Sequence, residues 1–202
     1  MKLFFSPGAC SLSPHIALRE AGLPVELVKV DLKAKTLADG SDFRAINGKG
    51  SVPVLGLPDG SVLTEGPAIV QYIADRNPAA GLAPANGTPE RYRLQEILNF
   101  ITSELHKGFS PLFNPDCPPE WKAQVKAMLG QRFDWLSGQL DGKSYLLGEQ
   151  FSVADGYLFT VLFWTRWVGI DLANWPVLQA FFERVAARPQ VQAALAAEGL
   201  KA

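Results

Sequence analysis

Cysteine and histidine are both scarce in this chain of 202 residues, with two of each. Cys10 and Cys117 stand too far apart in sequence to read as a disulfide framework. Neither the cysteines nor the histidines have metal-ligand spacing, which excludes a structural zinc site. An excess of charge is lacking too. Nineteen basic residues against twenty acidic ones leave a net charge of −1. That balance excludes the basic footprint of a nucleic-acid binder and the polybasic patch of a membrane-surface protein. Long apolar runs are missing. The most apolar stretch, from Val153 to Ile170, is interrupted by Asp155 and Arg166 and is too short to span a bilayer comfortably. Lys2 is followed only by Leu3-Phe4-Phe5, too little for the apolar region of a signal peptide. The expectation is a cytoplasmic protein with reduced thiols and with neither nucleic acid nor membrane as a partner.

What is present is unevenly spread. The first 78 residues contain only four aromatics, Phe4, Phe5, Phe43 and Tyr72, and all five tryptophans lie beyond them. Between the two parts runs a breaker-rich segment, Asn77-Pro78-Ala79-Ala80-Gly81-Leu82-Ala83-Pro84-Ala85-Asn86-Gly87. The reading is an α/β domain over residues 1–78, a linker over 79–87 and an all-α domain over 88–202.

In the first part, Leu3-Phe4-Phe5 reads as a strand and Pro14 to Ala21 as a helix, capped by the preceding serine and stopped by Gly22. Val25 to Leu32 reads as a second strand, which makes a βαβ unit with a parallel pair. After a short helical link, Val54 to Leu57 and Ser61 to Thr64 flank Pro58-Asp59-Gly60 as a hairpin. Pro67 opens a helix to Arg76. In the second part, Thr88-Pro89 starts a helix running to about Phe113, and Pro118-Pro119-Glu120 starts another. Ser152-Val153-Ala154-Asp155 reads as a capping box before a helix apolar almost all round, which belongs at a domain's centre. Trp175-Pro176 opens one more helix, and Pro189 divides it from the last.

Four features carry possible chemistry. Cys10-Ser11-Leu12-Ser13 places a thiol between a strand and a helix N-terminus, where thiolate is favoured. With no second cysteine it can form a mixed disulfide with a small thiol but not an internal bridge. A half-buried cysteine beside two capping serines is an equally good reading of the tetrapeptide. In Gly50-Ser51-Val52-Pro53-Val54 the default is a trans proline, since only about 5–6% of X-Pro bonds are cis. A cis Pro53 would leave the Val52 backbone free to pair with a peptide-like ligand. Thr64-Glu65-Gly66-Pro67, at a helix mouth, offers a carboxylate for an ammonium and amides for a carboxylate, or simply a favourable charge at the helix dipole. Asn99, Ser103 and His106 share a helix face opposite Leu94, Ile97, Ile101 and Leu105, and a solvated stripe is the plainer reading. His106 is the histidine suited to donate a hydrogen bond to a sulfur or a carboxylate. His15, in the first helix, reads as structural. Lys35, after the second strand, is placed to meet an anionic ligand end or to stand free on the surface.

Taken together the chain resembles the glutathione S-transferases, and among them the bacterial beta class. The resemblance runs the whole length. It rests on Ser6-Pro7-Gly8-Ala9-Cys10-Ser11-Leu12-Ser13, on Gly50-Ser51-Val52-Pro53-Val54, and on Leu63 to Asp75. It rests equally on Glu104-Leu105-His106-Lys107-Gly108-Phe109 and on Phe151-Ser152-Val153-Ala154-Asp155. The family pattern has Asn-Pro where this chain has Asn47-Gly48, which makes that loop more flexible. The resemblance implies a thioredoxin-like first domain, an all-α second domain and a homodimer. It implies no cofactor, with glutathione as co-substrate and a small hydrophobic electrophile as acceptor. Cys10 and His106 would form the sulfur site and carry catalysis. Val52, next to a cis Pro53, would pair with the ligand's cysteinyl backbone. Glu65 and Gly66 would hold the γ-glutamyl end and Lys35 the glycine end. Asn99, Ser103 and Glu104 would complete the glutathione site, with Asn99 and Ser103 reaching the neighbouring subunit's ligand. Ser152 and Asp155 would serve folding. The rival readings are a glutathione-dependent thiol–disulfide oxidoreductase using Cys10, and a non-catalytic carrier of hydrophobic ligands.

Overall fold

The computed structural model describes residues 1–201. Five strands form one mixed sheet: β1 (Lys2–Phe5), β2 (Glu26–Asp31), β3 (Thr36–Leu37), β4 (Val54–Gly56) and β5 (Val62–Thr64), in the order β3-β2-β1-β4-β5. β1 and β2 are parallel, joined by α1 (Leu12–Glu20), as the βαβ spacing predicts. β4 and β5 form the antiparallel hairpin about Pro58-Asp59-Gly60, with Leu55 opposite Leu63. β3 is an addition to the expected order. Two residues pairing with Val30 and Asp31 are too few to show a period in sequence. The helical link is a single 3₁₀ turn, Phe43–Ala45.

α1 begins two residues before its expected start, and its cap differs. Ser13 lies inside the helix, buried. Ser11 holds the N-cap position, but its hydroxyl turns back to Ser6 O at 3.2 Å instead of capping. Pro14 is still within the first turn, where its missing N–H goes unused. At the other end the Gly22 N–H bonds Arg19 O and the Leu23 N–H bonds Leu18 O, both at 3.0 Å. With Gly22 at φ +64°, this is the left-handed exit expected of that glycine.

α2 (Gly66–Arg76) follows β5. Past the linker come α3 (Pro89–Phe100), a π-helical turn (Ile101–His106) and α4 (Lys107–Phe113), one continuous run in place of the plain α-helix expected there. α5 (Pro119–Leu140), α6 (Val153–Phe163), α7 (Thr165–Val168), α8 (Pro176–Ala186) and α9 (Pro189–Ala197) complete the chain. Every residue of α6 is buried, as its all-round apolar sequence requires.

α1 packs on both α6 and α9, so the main hydrophobic core passes through both halves, while Phe4, Val30, Phe43, Val52 and Val54 form a smaller one. Charged pairs pin the seam. Arg188 grips Glu20 with two bonds of 2.7 and 2.8 Å, and Arg91 grips Asp75 with bonds of 2.8 and 2.9 Å. His15 is buried and structural, bonded through Nδ1 to Glu198 at 2.8 Å. Among the described residues no helix is long and apolar enough to cross a membrane.

Candidate active site

The loop Ser6–Cys10 carries the thiol, and three contacts immobilise it. The Gly8 N–H donates to Glu198 Oε2 at 2.9 Å, and Gly8 O accepts from Trp164 Nε1 at 2.8 Å. Gly8 lies at φ +71°, and a Cβ there would come within 2.5 Å of the Trp167 ring. Only glycine satisfies both demands. The C-terminal helices therefore hold the loop that presents Cys10.

Cys10 opens into a cavity of about 320 Å³ between the sheet domain and the helices. Val52, Pro53, Thr64, Glu65, Gly66, Thr102, His106, Lys107 and Tyr157 share its wall with Cys10, and Asn47, Lys49, Ser51 and Pro67 complete it. Cys10, Val52, Pro53, Glu65, Gly66 and His106, all singled out in sequence, thus meet in one place. The Val52–Pro53 bond is cis. Among the described residues the Val52 N–H makes no backbone bond, and Val52 O accepts only the Cys10 thiol, at 3.2 Å. Glu65 sits at φ +69°, a region non-glycine residues occupy when their surroundings impose it, and one that clusters at ligand sites. Its C=O begins α2, and among the described residues the Gly66 and Ala68 N–H groups of the first turn find no backbone partner. That leaves a carboxylate beside free amides.

The expected thiolate is not what the surroundings of Cys10 favour. Burial pushes the thiol up to about 11, and it outweighs the amides of Cys10 and Ser11 and the Lys107 charge, all of which pull downward. Cys10 is a neutral thiol at neutral pH, able to donate a hydrogen bond. His106 is neutral as well: burial first, then Lys107, bring it down to about 4. The charges on the wall are therefore Glu65 against Lys49 and Lys107. Lys49 Nζ bonds Thr64 Oγ1 at 2.8 Å and pairs with Glu65. Among the described residues Lys107 Nζ makes neither a hydrogen bond nor an ion pair.

Lys35, Asn99, Ser103 and Glu104 are not brought to the cavity wall. Lys35 Nζ instead bonds Gly50 O at 2.8 Å and braces the loop leading to Val52. Asn99 Nδ2 and Ser103 Oγ turn back onto Gln95 O and Asn99 O at 2.9 and 3.1 Å. Glu104 pairs with Arg132 at 2.9 Å. For Asn99 and Ser103 the cause is the π turn. Its wider winding takes His106 off the stripe of Asn99 and Ser103 and aligns it with Thr102. Thr102, Lys107, Tyr157 and Lys49 are the wall residues that the sequence reading passed over. Tyr157 had a signal: a tyrosine in an otherwise apolar buried helix needs a partner for its hydroxyl. That partner is His106 Nδ1, at 2.7 Å.

Beside the cavity stands an aromatic wall. Trp164 meets His106 edge-on at 4.9 Å and Phe113 at 5.9 Å between ring centroids. Trp167 lies over Gly8, and Phe113 and Trp167 are each about half exposed. A neutral thiol, a neutral imidazole, free amides and a cation next to exposed aromatic surface suit a small thiol peptide and an apolar reaction partner.

Comparison with known proteins agrees. Residues 8–76 match the N-terminal domain model of the glutathione S-transferases, and residues 100–189 match their C-terminal domain model. The glutathione S-transferase GstA of Escherichia coli O157:H7 is 50% identical over 202 residues, covering all of both chains. BphK, a bacterial glutathione S-transferase solved as a ternary complex, is 62% identical with a TM-score of 0.97, covering 99% of this chain and all of the other. The bacterial beta class enzyme of Sphingomonas chungbukensis is 51% identical with a TM-score of 0.96, at the same coverage. Matched in both halves and along its full length, the chain belongs to the glutathione S-transferase family, with the bacterial beta class as its place within it.

Proposed function

We propose that this protein is a glutathione transferase that joins the sulfur of glutathione to small apolar electrophiles. The observation that carries the reading is the charge set of the cavity. One carboxylate and two lysines surround a wall with a free Val52 N–H and free α2 amides. Glutathione offers the complement: one ammonium, two carboxylates and a peptide backbone. Glu65 takes the γ-glutamyl ammonium, and the Gly66 amide takes the adjacent carboxylate. Val52 pairs with the cysteinyl backbone, which directs the sulfur toward Cys10 and His106. Lys49, a cation on the cavity wall that the ligand's ammonium frees from Glu65, takes the glycine carboxylate, with Lys35 holding the loop.

In the reaction the glutathione thiol loses its proton to solvent. The thiolate sulfur forms a bond to the electrophilic carbon, and the leaving group departs with its electron pair. The protein's share is to orient the sulfur and to stabilise its negative charge with the Cys10 S–H, the imidazole and Lys107. The acceptor lies against Phe113, Trp164 and Trp167. A buried thiol held near 11 argues against Cys10 as the attacking group in disulfide exchange, because exchange needs the thiolate.

The division into a glutathione-binding domain over 1–78, a linker over 79–87 and an acceptor-binding helical domain over 88–202 belongs to the same reading. So does a homodimer. Trp121, Met128 and Trp135 recur every seventh residue on α5 and are about half exposed, the kind of apolar stripe a second copy covers. Asn99 and Ser103 then serve the partner subunit's cleft. A detoxifying role in the cytoplasm fits reduced thiols and a broad aromatic acceptor surface.

Cys10→Ala separates the roles. Conjugation of an aryl halide is expected to fall by about tenfold or less, the loss of one neutral hydrogen-bond donor. Abolished conjugation would make Cys10 itself the nucleophile and would overturn the reading.

A further inference from the structure

His106 enters the cavity with its protonation site decided from behind. The Tyr157 hydroxyl has one proton and two neighbours, His106 Nδ1 at 2.7 Å and Thr102 Oγ1 at 3.4 Å. The proton of Thr102 is given to Leu98 O at 2.8 Å. If Nδ1 carried the imidazole proton it would donate to Tyr157 Oη. The tyrosine proton would then have only the 3.4 Å contact, beyond the range of a good O–H···O bond. A buried hydroxyl without an acceptor is strongly disfavoured. If Tyr157 donates to Nδ1 instead, both groups are satisfied and the imidazole proton sits on Nε2. The Trp164 and Tyr157 rings pack edge-on against the imidazole, 4.9 and 6.0 Å between ring centroids. Nε2 has no partner among the described residues. The ring's neutrality, with its pKa down at about 4, rules out a second proton at neutral pH.

We propose that Tyr157 is a positioning residue that fixes His106 as the Nε2–H tautomer, so that the imidazole donates a hydrogen bond to the reacting sulfur and is no base for its proton. The proposal rests on the placement of the glutathione sulfur beside Cys10 and His106 given above. With Nδ1 occupied by Tyr157 and a proton on Nε2, the ring presents no lone pair to the cavity. It favours the thiolate by solvating it, and the thiol proton goes to water.

The test titrates the ultraviolet absorbance of enzyme-bound glutathione thiolate against pH, with kcat and KM for glutathione measured alongside. Tyr157→Phe is expected to raise the bound thiol's pKa by about one unit and to lower kcat at neutral pH about tenfold. The KM for glutathione stays within about twofold, because only the activated sulfur is affected. His106→Gln, which puts an amide donor near the place of Nε2 but offers no base, keeps at least about fivefold more activity than His106→Leu. In the His106→Leu background, Tyr157→Phe adds no further loss. The proposal is overturned if Tyr157→Phe leaves the bound thiol's pKa and kcat unchanged while lowering only thermal stability. It is overturned equally if the Gln and Leu variants are alike, a comparison that does not depend on Tyr157→Phe folding. If both His106 variants bind glutathione with a wild-type thiol pKa, the sulfur does not lie at His106, and the functional reading falls with the proposal.

Discussion

Replacing Glu65 with glutamine is expected to raise the KM for glutathione about 10- to 100-fold and to leave kcat within about twofold. Glu65 is the one carboxylate on the cavity wall, at the mouth of α2 beside the free Gly66 amide. A charge-assisted hydrogen bond to the ligand's ammonium contributes about 1.5–3 kcal/mol, and about 1.4 kcal/mol is a factor of ten. The contact is far from the sulfur and is the same in the ground and transition states, so it appears in KM. Lys49 occupies Glu65 before the ligand arrives, but that pair is exposed on both sides and contributes at most about 1 kcal/mol. The ligand's ammonium displaces it readily. A glutathione analogue without the α-amino group makes the check specific. It should bind wild type about as weakly as glutathione binds Glu65→Gln. An unchanged KM in the variant would remove Glu65 from the site.

The second large effect is on stability. Asp155 is fully buried in the first turn of α6, and its carboxylate accepts three bonds: Leu146 N–H at 2.8 Å, Ser152 N–H at 2.8 Å and Ser152 O–H at 2.7 Å. Asp155→Ala leaves these donors without an acceptor in the core. The expected loss is about 3–5 kcal/mol, or a fall in Tm of about 10 °C for a chain of this size. Asp155→Asn retains one acceptor and should lose less. Burial raises the Asp155 carboxyl to about 6, against the pull of its donors. The folded state therefore takes up a proton before the unfolded chain does. The stability this group supplies is fullest in acid and declines as pH rises through about 6. The gap between wild type and Asp155→Ala should thus widen from pH 7 to pH 5 in chemical denaturation. A gap that narrowed toward acid would contradict the burial argument.

How far the sequence could be read depended on whether the physical cause was local. Gly22, Pro58-Asp59-Gly60, Thr88-Pro89 and Ser152-Val153-Ala154-Asp155 act within a few residues of themselves, and the helix ends and the turn that they mark stand where expected. β3 is two residues held by its neighbour and has no period of its own. The π turn at Ile101–His106 changes the winding that any helical count assumes. For that reason Asn99 and Ser103 separate from His106, and Thr102 and Lys107 take their places. The need of the Tyr157 hydroxyl for a partner is legible in the sequence, but the partner itself is not, because it is a histidine 51 residues away. The charge state of Cys10 was the least accessible. A helix N-terminus can be read from sequence, but the burial that outweighs it comes from segments brought in from elsewhere in the chain. Lys35 and Lys49 show the same limit. Both flank the loop to Val52, and only the fold decides which one reaches the cavity and which one braces it.

The central claim is that glutathione binds in the cavity between Val52, Glu65 and His106 with its sulfur at Cys10. Electron density from a crystal soaked with glutathione tests it most directly. The account predicts the γ-glutamyl ammonium on Glu65 and the adjacent carboxylate at the Gly66 amide. It predicts the cysteinyl backbone paired with Val52, and the sulfur within hydrogen-bond reach of both Cys10 Sγ and His106 Nε2. Glutathione bound elsewhere, or in this cavity with its sulfur turned away from His106, would contradict it.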